Sequence, residues 1–282
     1  MVETIDLGEP FDLKKTLECG QTFSWCKKRE GRTSKYWTVR NDGVLVVWQE
    51  GDTLYYENYG KRIDPRTVLR LDDPLEDIYE QIDRDEFIHR SIVTNHGFRL
   101  VRDDFFPCLI AYITSAQMQI PRIRRIQRDL ERKYGKPLRF GEKEYYRFPQ
   151  PEELAKVTEE ELRELGIGYR VSYLVKTSEM LRDGFVKEEE ICEMDYTEAR
   201  EEIKKLPGVG NKVADCVLLF SMDFLESFPV DTWVRKVVKN KYPDLYSKNY
   251  KKLSKNMRNY FGRYAGYAQE YLFYYARNCE EL

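Results

Sequence analysis

The spacing of apolar positions changes character near residue 72. From Phe23 to Tyr59 they fall in short bursts, Tyr36–Val39, Gly43–Trp48 and Thr53–Tyr56, separated by Asn41-Asp42-Gly43 and Glu50-Gly51-Asp52. Bursts of β-branched and aromatic residues between such turn pairs predict a meander of short antiparallel strands. Beyond Asp72 the spacing becomes three and four. Phe106, Leu109, Ile110 and Ile113 share one stripe, and Ile123, Ile126 and Leu130 share another, so the remainder reads as nearly all helix. Pro149-Gln150-Pro151 starts a short helix, Thr158 to Glu161 spells a capping box, and Gly166 and Gly168 break the chain before a helix beginning near Tyr169. The pattern predicts an α+β protein, β-rich first and helical afterwards, without internal repeats.

Composition narrows the class. With 282 residues and 41% hydrophobic content the chain can bury one large or two moderate cores. Its six cysteines, Cys19, Cys26, Cys108, Cys192, Cys216 and Cys279, are scattered, with no C-x-x-C pair and few histidines to join them. That argues against a zinc site or a secreted disulfide scaffold and predicts a reducing compartment. No signal-like start and no apolar run of membrane-spanning length is present, so a soluble protein with no membrane partner is expected. The net charge of −2 hides an asymmetry. Residues 72–90 carry eight acids against Arg84 and Arg90, whereas residues 235–263 carry ten Lys or Arg against Asp244 alone. Tyr242, Tyr246, Tyr250, Tyr260, Phe261, Tyr264 and Tyr267 interleave with those charges, so the basic stretch reads equally as a solvated face or a nucleic-acid surface.

Chemistry enters at residues 198–220. Glu198–Leu206 and Asn211–Phe220 read as two helices joined by Pro207-Gly208-Val209-Gly210, a helix-hairpin-helix. Its glycines permit a close backbone approach, and the N-terminus of the second helix offers unpaired N–H groups to a phosphate. Gly208, Gly210 and Asn211 are therefore candidate phosphate contacts. Lys212 sits in that first helical turn, where the positive end of the helix dipole disfavours a protonated amine and suits a Schiff-base nucleophile. Nineteen residues on, Asp231 opens another helix, so it reads as an N-cap and as the carboxylate partner of Lys212.

The run L-P-G-V-G-x-K-V-A-D-C followed by P-V-D resembles the helix-hairpin-helix, Gly/Pro-Asp superfamily of DNA glycosylases, and within it the 8-oxoguanine DNA glycosylases. Phe11-Asp12-Leu13, Gly20 to Trp25, Leu165 to Arg170 and Tyr264 to Gln269 carry the likeness across nearly the whole chain. The resemblance implies a TATA-binding-protein-like antiparallel β-rich domain over residues 1–98. A helical region follows over 99–282, in which two subdomains flank the active-site cleft. It implies that Lys212 attacks C1′ of the damaged nucleoside while Asp231 stabilises the sugar cation, that the resulting imine allows β-elimination, and that no cofactor takes part. Phe273 and Cys216 would sandwich the extruded base, Gln269 would read its Watson–Crick edge, and the Gly20 carbonyl would accept the N7 hydrogen that guanine lacks. Arg122 and Arg170 align with the readers of the orphaned cytosine and Tyr169 with the wedge. The implied partner is double-stranded DNA containing 8-oxoguanine, met by a monomer in a prokaryotic cytoplasm or a nucleus. Relatives also hold a structural cation on hairpin carbonyls, here those between Lys205 and Gly210.

Two positions depart from the family pattern. Ala116-Gln117-Met118-Gln119 stands where eukaryotic members have an asparagine run, so Gln117 becomes the candidate filler of the vacated site. Trp233 replaces a phosphate-contacting histidine and can donate only through its indole N–H. Endonuclease III is a weaker match because only Cys279 lies where its iron–sulfur cysteines would be, and alkyl-base glycosylases usually lack the lysine. A non-catalytic hairpin DNA-binding protein is the alternative from another class.

Overall fold

The computed structural model describes residues 1–31 and 33–278; Cys279 lies outside the described residues. Five strands, β1 (Glu3–Asp6), β2 (Cys26–Glu30), β3 (Thr33–Arg40), β4 (Gly43–Glu50) and β5 (Thr53–Gly60), form one antiparallel sheet in the order β1-β5-β4-β3-β2. Asn41 and Asp42 take φ of 46° and 63° between the paired Arg40 and Gly43, the left-handed pair that a two-residue hairpin needs. Alternation then sends Tyr36, Leu45, Val47, Leu54 and Tyr56 to one face, where they pack on Leu13, Leu17, Val68 and Leu69.

The meander is legible in the apolar bursts, but the two outer strands are not. β1 and β2 are short and largely polar, so their pairing rests on backbone hydrogen bonds to a neighbour. A second hairpin, β6 (Pro137–Phe140) and β7 (Lys143–Tyr146), also interrupts the helical half. It covers the sheet's other face: Phe140 lies 5.9 Å from the Tyr59 ring and Tyr145 6.4 Å from Trp37, centroid to centroid.

The helices Leu75–Ile82 and Glu86–Thr94 pack against the C-terminal helix Ala265–Asn278 in one continuous core, with the Tyr79 and Tyr271 hydroxyls 2.8 Å apart. The basic stretch divides in a way its sequence does not reveal. Tyr242, Phe261, Tyr264 and Tyr267 are buried in that core, while Lys248, Lys251, Lys252 and Lys255 are exposed. Helical periodicity alternates the faces, so these aromatics are core residues rather than a stacking surface beside the lysines. No helix among the described residues is long and apolar enough to cross a membrane.

Candidate active site

The hairpin forms as its sequence suggests. Tyr196–Ile203 is capped by Asp195 in a capping box, and Asn211–Ser221 begins at Gly210 with no side-chain cap. The two glycines have different jobs. Gly208 has φ +81°, and a Cβ there would strike the Tyr173 ring at 2.8 Å, so its close approach is to protein. Around Gly210 a Cβ would meet nothing within 4 Å, which leaves the uncapped helix N-terminus open to an anion. Of the hairpin carbonyls, Leu206 accepts from Val209 N–H, Pro207 from the Thr177 hydroxyl at 3.0 Å, and Gly210 from Ala214 N–H.

In the first turn of that helix, Lys212 turns toward a cavity of about 860 Å³ between the hairpin, the Phe105–Thr114 helix, the Gly20–Gln21 segment and the C-terminal helix. Its Nζ lies 4.6 Å from the centre of the Tyr112 ring and 3.5 Å from Ser115 Oγ. Across the cavity stands Asp231, N-cap of Thr232–Lys241, which accepts the Val234 N–H at 2.7 Å. Burial pushes the Asp231 carboxyl up from the usual carboxylate range, while Val234 N–H and the Lys212 ammonium pull the other way. The cap and the site thus use one side chain.

Gly20, Gln117, Cys216, Trp233, Gln269 and Phe273 line the same cavity. Gly20 has φ +111°, and its loop is fixed through Gln21, whose carbonyl accepts the Tyr112 hydroxyl at 2.7 Å and whose amide bonds Thr16 and Arg99 carbonyls. Cys216 lies one turn after Lys212 and is buried, its thiol pushed up to about 12 by desolvation, so it is an uncharged wall rather than a nucleophile. Trp233 is half-exposed at the cavity mouth, with Lys236 Nζ 6.0 Å from its ring centre.

The remaining candidates gather on a rim outside this lining. Arg170 is buried, its guanidinium bonded to the carbonyls of Ala116 and Ile167 and lying 4.4 Å over the Tyr169 ring. Arg122 is exposed and donates to Gly166 O at 2.9 Å. Arg170 thereby ties the 116–119 loop, where Gln117 takes φ +54°, to the loop ending at Tyr169, which is 63% exposed, and Arg122 ties that second loop to the Ile120–Tyr134 helix. Asn211 carries a buried, unpaired Oδ1. Sequence reasoning did not single out Tyr112, Glu270 or Arg277, all of which line the cavity. A glutamate inside the apolar run Tyr267 to Phe273 is the one signal that marks any of them.

Residues 110–262 match the HhH-GPD superfamily of base excision DNA repair proteins, and residues 4–109 match the N-terminal domain of 8-oxoguanine DNA glycosylases. The chain belongs to this HhH-GPD superfamily. Among its superfamily relatives, a probable N-glycosylase/DNA lyase of Methanothermobacter thermautotrophicus is 33% identical, covering 97% of this chain and 95% of its own. N-glycosylase/DNA lyase OGG1 of Arabidopsis thaliana is 29% identical over 93% of this chain and 76% of its own. In three dimensions the chain is similar to the Clostridium acetobutylicum 8-oxoguanine glycosylase/lyase, solved with double-stranded DNA containing cytosine opposite 8-oxoguanine. That likeness has a TM-score of 0.89 at 33% identity and covers 99% of this chain and 98% of the other. A 3-methyladenine DNA glycosylase from Archaeoglobus fulgidus, at TM-score 0.75 and 22% identity, shares the fold.

Proposed function

We propose that the protein excises 8-oxoguanine from double-stranded DNA and then cleaves the strand, with Lys212 as nucleophile and Asp231 as its carboxylate. The observation that carries this reading is that Lys212 and Asp231, nineteen residues apart, line one cavity at the open end of the hairpin. The damaged nucleotide leaves the stack, because C1′ is out of reach inside a duplex. Lys212 Nζ bonds to C1′ as the glycosidic bond breaks, and the base leaves with that electron pair and takes up a proton. The Asp231 carboxylate stabilises positive charge developing on the sugar. After the ammonium formed on attack loses one proton, the nitrogen lone pair breaks the C1′–O4′ bond, O4′ takes up a proton, and the iminium left at C1′ acidifies the C2′ hydrogen, whose removal expels the 3′ phosphate by β-elimination. These steps call for no cofactor, and among the described residues no cluster of acids, histidines and cysteines fit to hold a metal is found.

Gln269, Cys216, Phe273 and the Gly20 carbonyl form the base pocket in this reading. Arg122, Arg170, Gln117 and Tyr169 serve the opposite strand and the gap, while Gly208, Gly210, Asn211 and Trp233 serve the phosphates, Gly208 by shaping the turn. The protein works as a monomer on chromosomal DNA, in a prokaryotic cytoplasm or a nucleus; sedimentation at the mass of one chain checks the first point. Borohydride trapping tests the chemistry. The wild type becomes covalently linked to an 8-oxoguanine duplex and Lys212→Gln does not; trapping by the mutant defeats the assignment.

A further inference from the structure

Glu270 follows Gln269 on the C-terminal helix, and no step of the excision uses it. It lines the cavity that holds Lys212 and Asp231 and is only 5% exposed. Its Oε2 is shut off from solvent without a hydrogen-bond partner, and so is Oε1 of Gln269 beside it. Buried polar atoms are almost always paired, so two unpaired ones on adjacent residues of one cavity wall indicate that a ligand completes the set.

We propose that Glu270 is a specificity-determining residue of the base pocket, hydrogen-bonding the extruded oxidised purine alongside Gln269. The proposal rests on the glycosylase reading above and adds a recognition residue to it. Groups facing Glu270 from the surrounding elements are Cys19, Tyr112, Lys212, Cys216, Asp231 and Arg277. Burial and the Asp231 charge push its carboxyl up to about 8, against the pull of Gln269, Lys212 and Arg277. At neutral pH the side chain is therefore an acid with an O–H donor beside a C=O acceptor. An oxidised purine presents a carbonyl beside an N–H on its lactam edges, and a neutral carboxyl matches that pair with two hydrogen bonds. A carboxylate matches only half of it, and next to Asp231 it also adds a repulsive charge.

The test measures affinity in a Lys212→Gln background, where no covalent step intervenes. The ligands are an 8-oxoguanine:cytosine duplex, the same duplex with guanine, and the same duplex with a tetrahydrofuran abasic analogue. Glu270→Leu, apolar and of similar size, is expected to weaken lesion binding about tenfold and leave abasic binding unchanged. With Glu270 present, lesion affinity falls above pH 8 by up to about tenfold per unit, because binding then takes up a proton. Glu270→Gln keeps a donor and an acceptor and cannot ionise, so it restores lesion preference over Glu270→Leu and flattens that dependence. Equal weakening of lesion and abasic duplexes by Glu270→Leu, or an unchanged pH dependence in Glu270→Gln, overturns the proposal. If the parent fails to prefer 8-oxoguanine over guanine, the glycosylase reading itself fails, whatever Glu270 does.

Discussion

The Tyr250 hydroxyl donates to a carboxylate oxygen of the fully buried Asp215 at 2.7 Å. The same hydroxyl oxygen accepts the Val230 N–H at 3.1 Å, one residue before Asp231. Asp215 stands one turn after Lys212 on the hairpin's second helix and is held by Arg200 at 2.6 Å and Tyr196 at 2.7 Å. The helix that carries Lys212 thus positions the loop that carries Asp231. Tyr250→Phe removes the link while keeping the ring. We expect a loss of about 1–3 kcal/mol in stability and an excision rate lower by about tenfold, since a small misplacement of a reacting group is costly. Single-turnover excision and thermal unfolding measure both; an unchanged rate in the destabilised variant shows that the loop holds its place without Tyr250.

In the proposed reading capping and chemistry share the Asp231 side chain, and one substitution separates them. Asparagine caps a helix as well as aspartate does, so Asp231→Asn should keep stability within about 0.5 kcal/mol. It carries no charge to set against a sugar cation, so excision should drop by about 10²–10³-fold. Because burial raises the Asp231 carboxyl, activity in the wild type should decline on acidification at a higher pH than an ordinary aspartate near 4 would give. Rate against pH, compared with the melting curve of Asp231→Asn, decides the matter; full activity in the variant removes Asp231 from the chemistry.

How far these relations can be read from residues alone differs from place to place. The hairpin is legible because Leu206 to Gly210 punctuates two periodic segments, and Asp231 because a carboxylate opening a helix is a recognised cap. What Gly208 approaches is not legible: its neighbour, the Tyr173 ring, lies 35 positions away along the chain. The β6–β7 hairpin hides in a charged stretch whose strands are four residues long, below the length at which alternation becomes distinct. Glu270 hides for another reason. Charged residues on a helix are usually solvated, and only the fold places this one within the C-terminal helix's buried surround.

The two hairpin glycines should fail differently. Gly208→Ala places a Cβ against the Tyr173 ring at φ +81°, and such strain costs about 1–3 kcal/mol. Gly210→Ala meets no atom and no forbidden φ in the free protein, so its melting temperature should stay near wild type. Its methyl group instead stands where a phosphate would approach, and affinity for undamaged duplex should fall several-fold. Thermal unfolding and fluorescence anisotropy with an unmodified duplex separate the cases; reversed phenotypes would mean that Gly208, not Gly210, meets the DNA.

The pH dependence of stability should lean toward acid. Burial pushes Glu131, on the Ile120–Tyr134 helix, up to about 8, with Arg128 and Arg132 opposing only in part. It lines a small cavity with Asp103, Asp104 and Gln127. Between the ordinary glutamate value near 4.3 and the folded value near 8, the folded chain holds a proton here that the unfolded chain has released. Stability from this site is therefore fullest below pH 4.3 and declines as pH rises toward about 8, where the loss levels off. Glu131→Gln keeps the neutral shape in both states and removes the decline. At pH 8 it should clearly raise the melting temperature, with a much smaller change at pH 5. A wild-type melting temperature that climbs from pH 5 to pH 8, together with no gain in the variant at pH 8, would show that the Glu131 carboxyl is ionised in the folded protein.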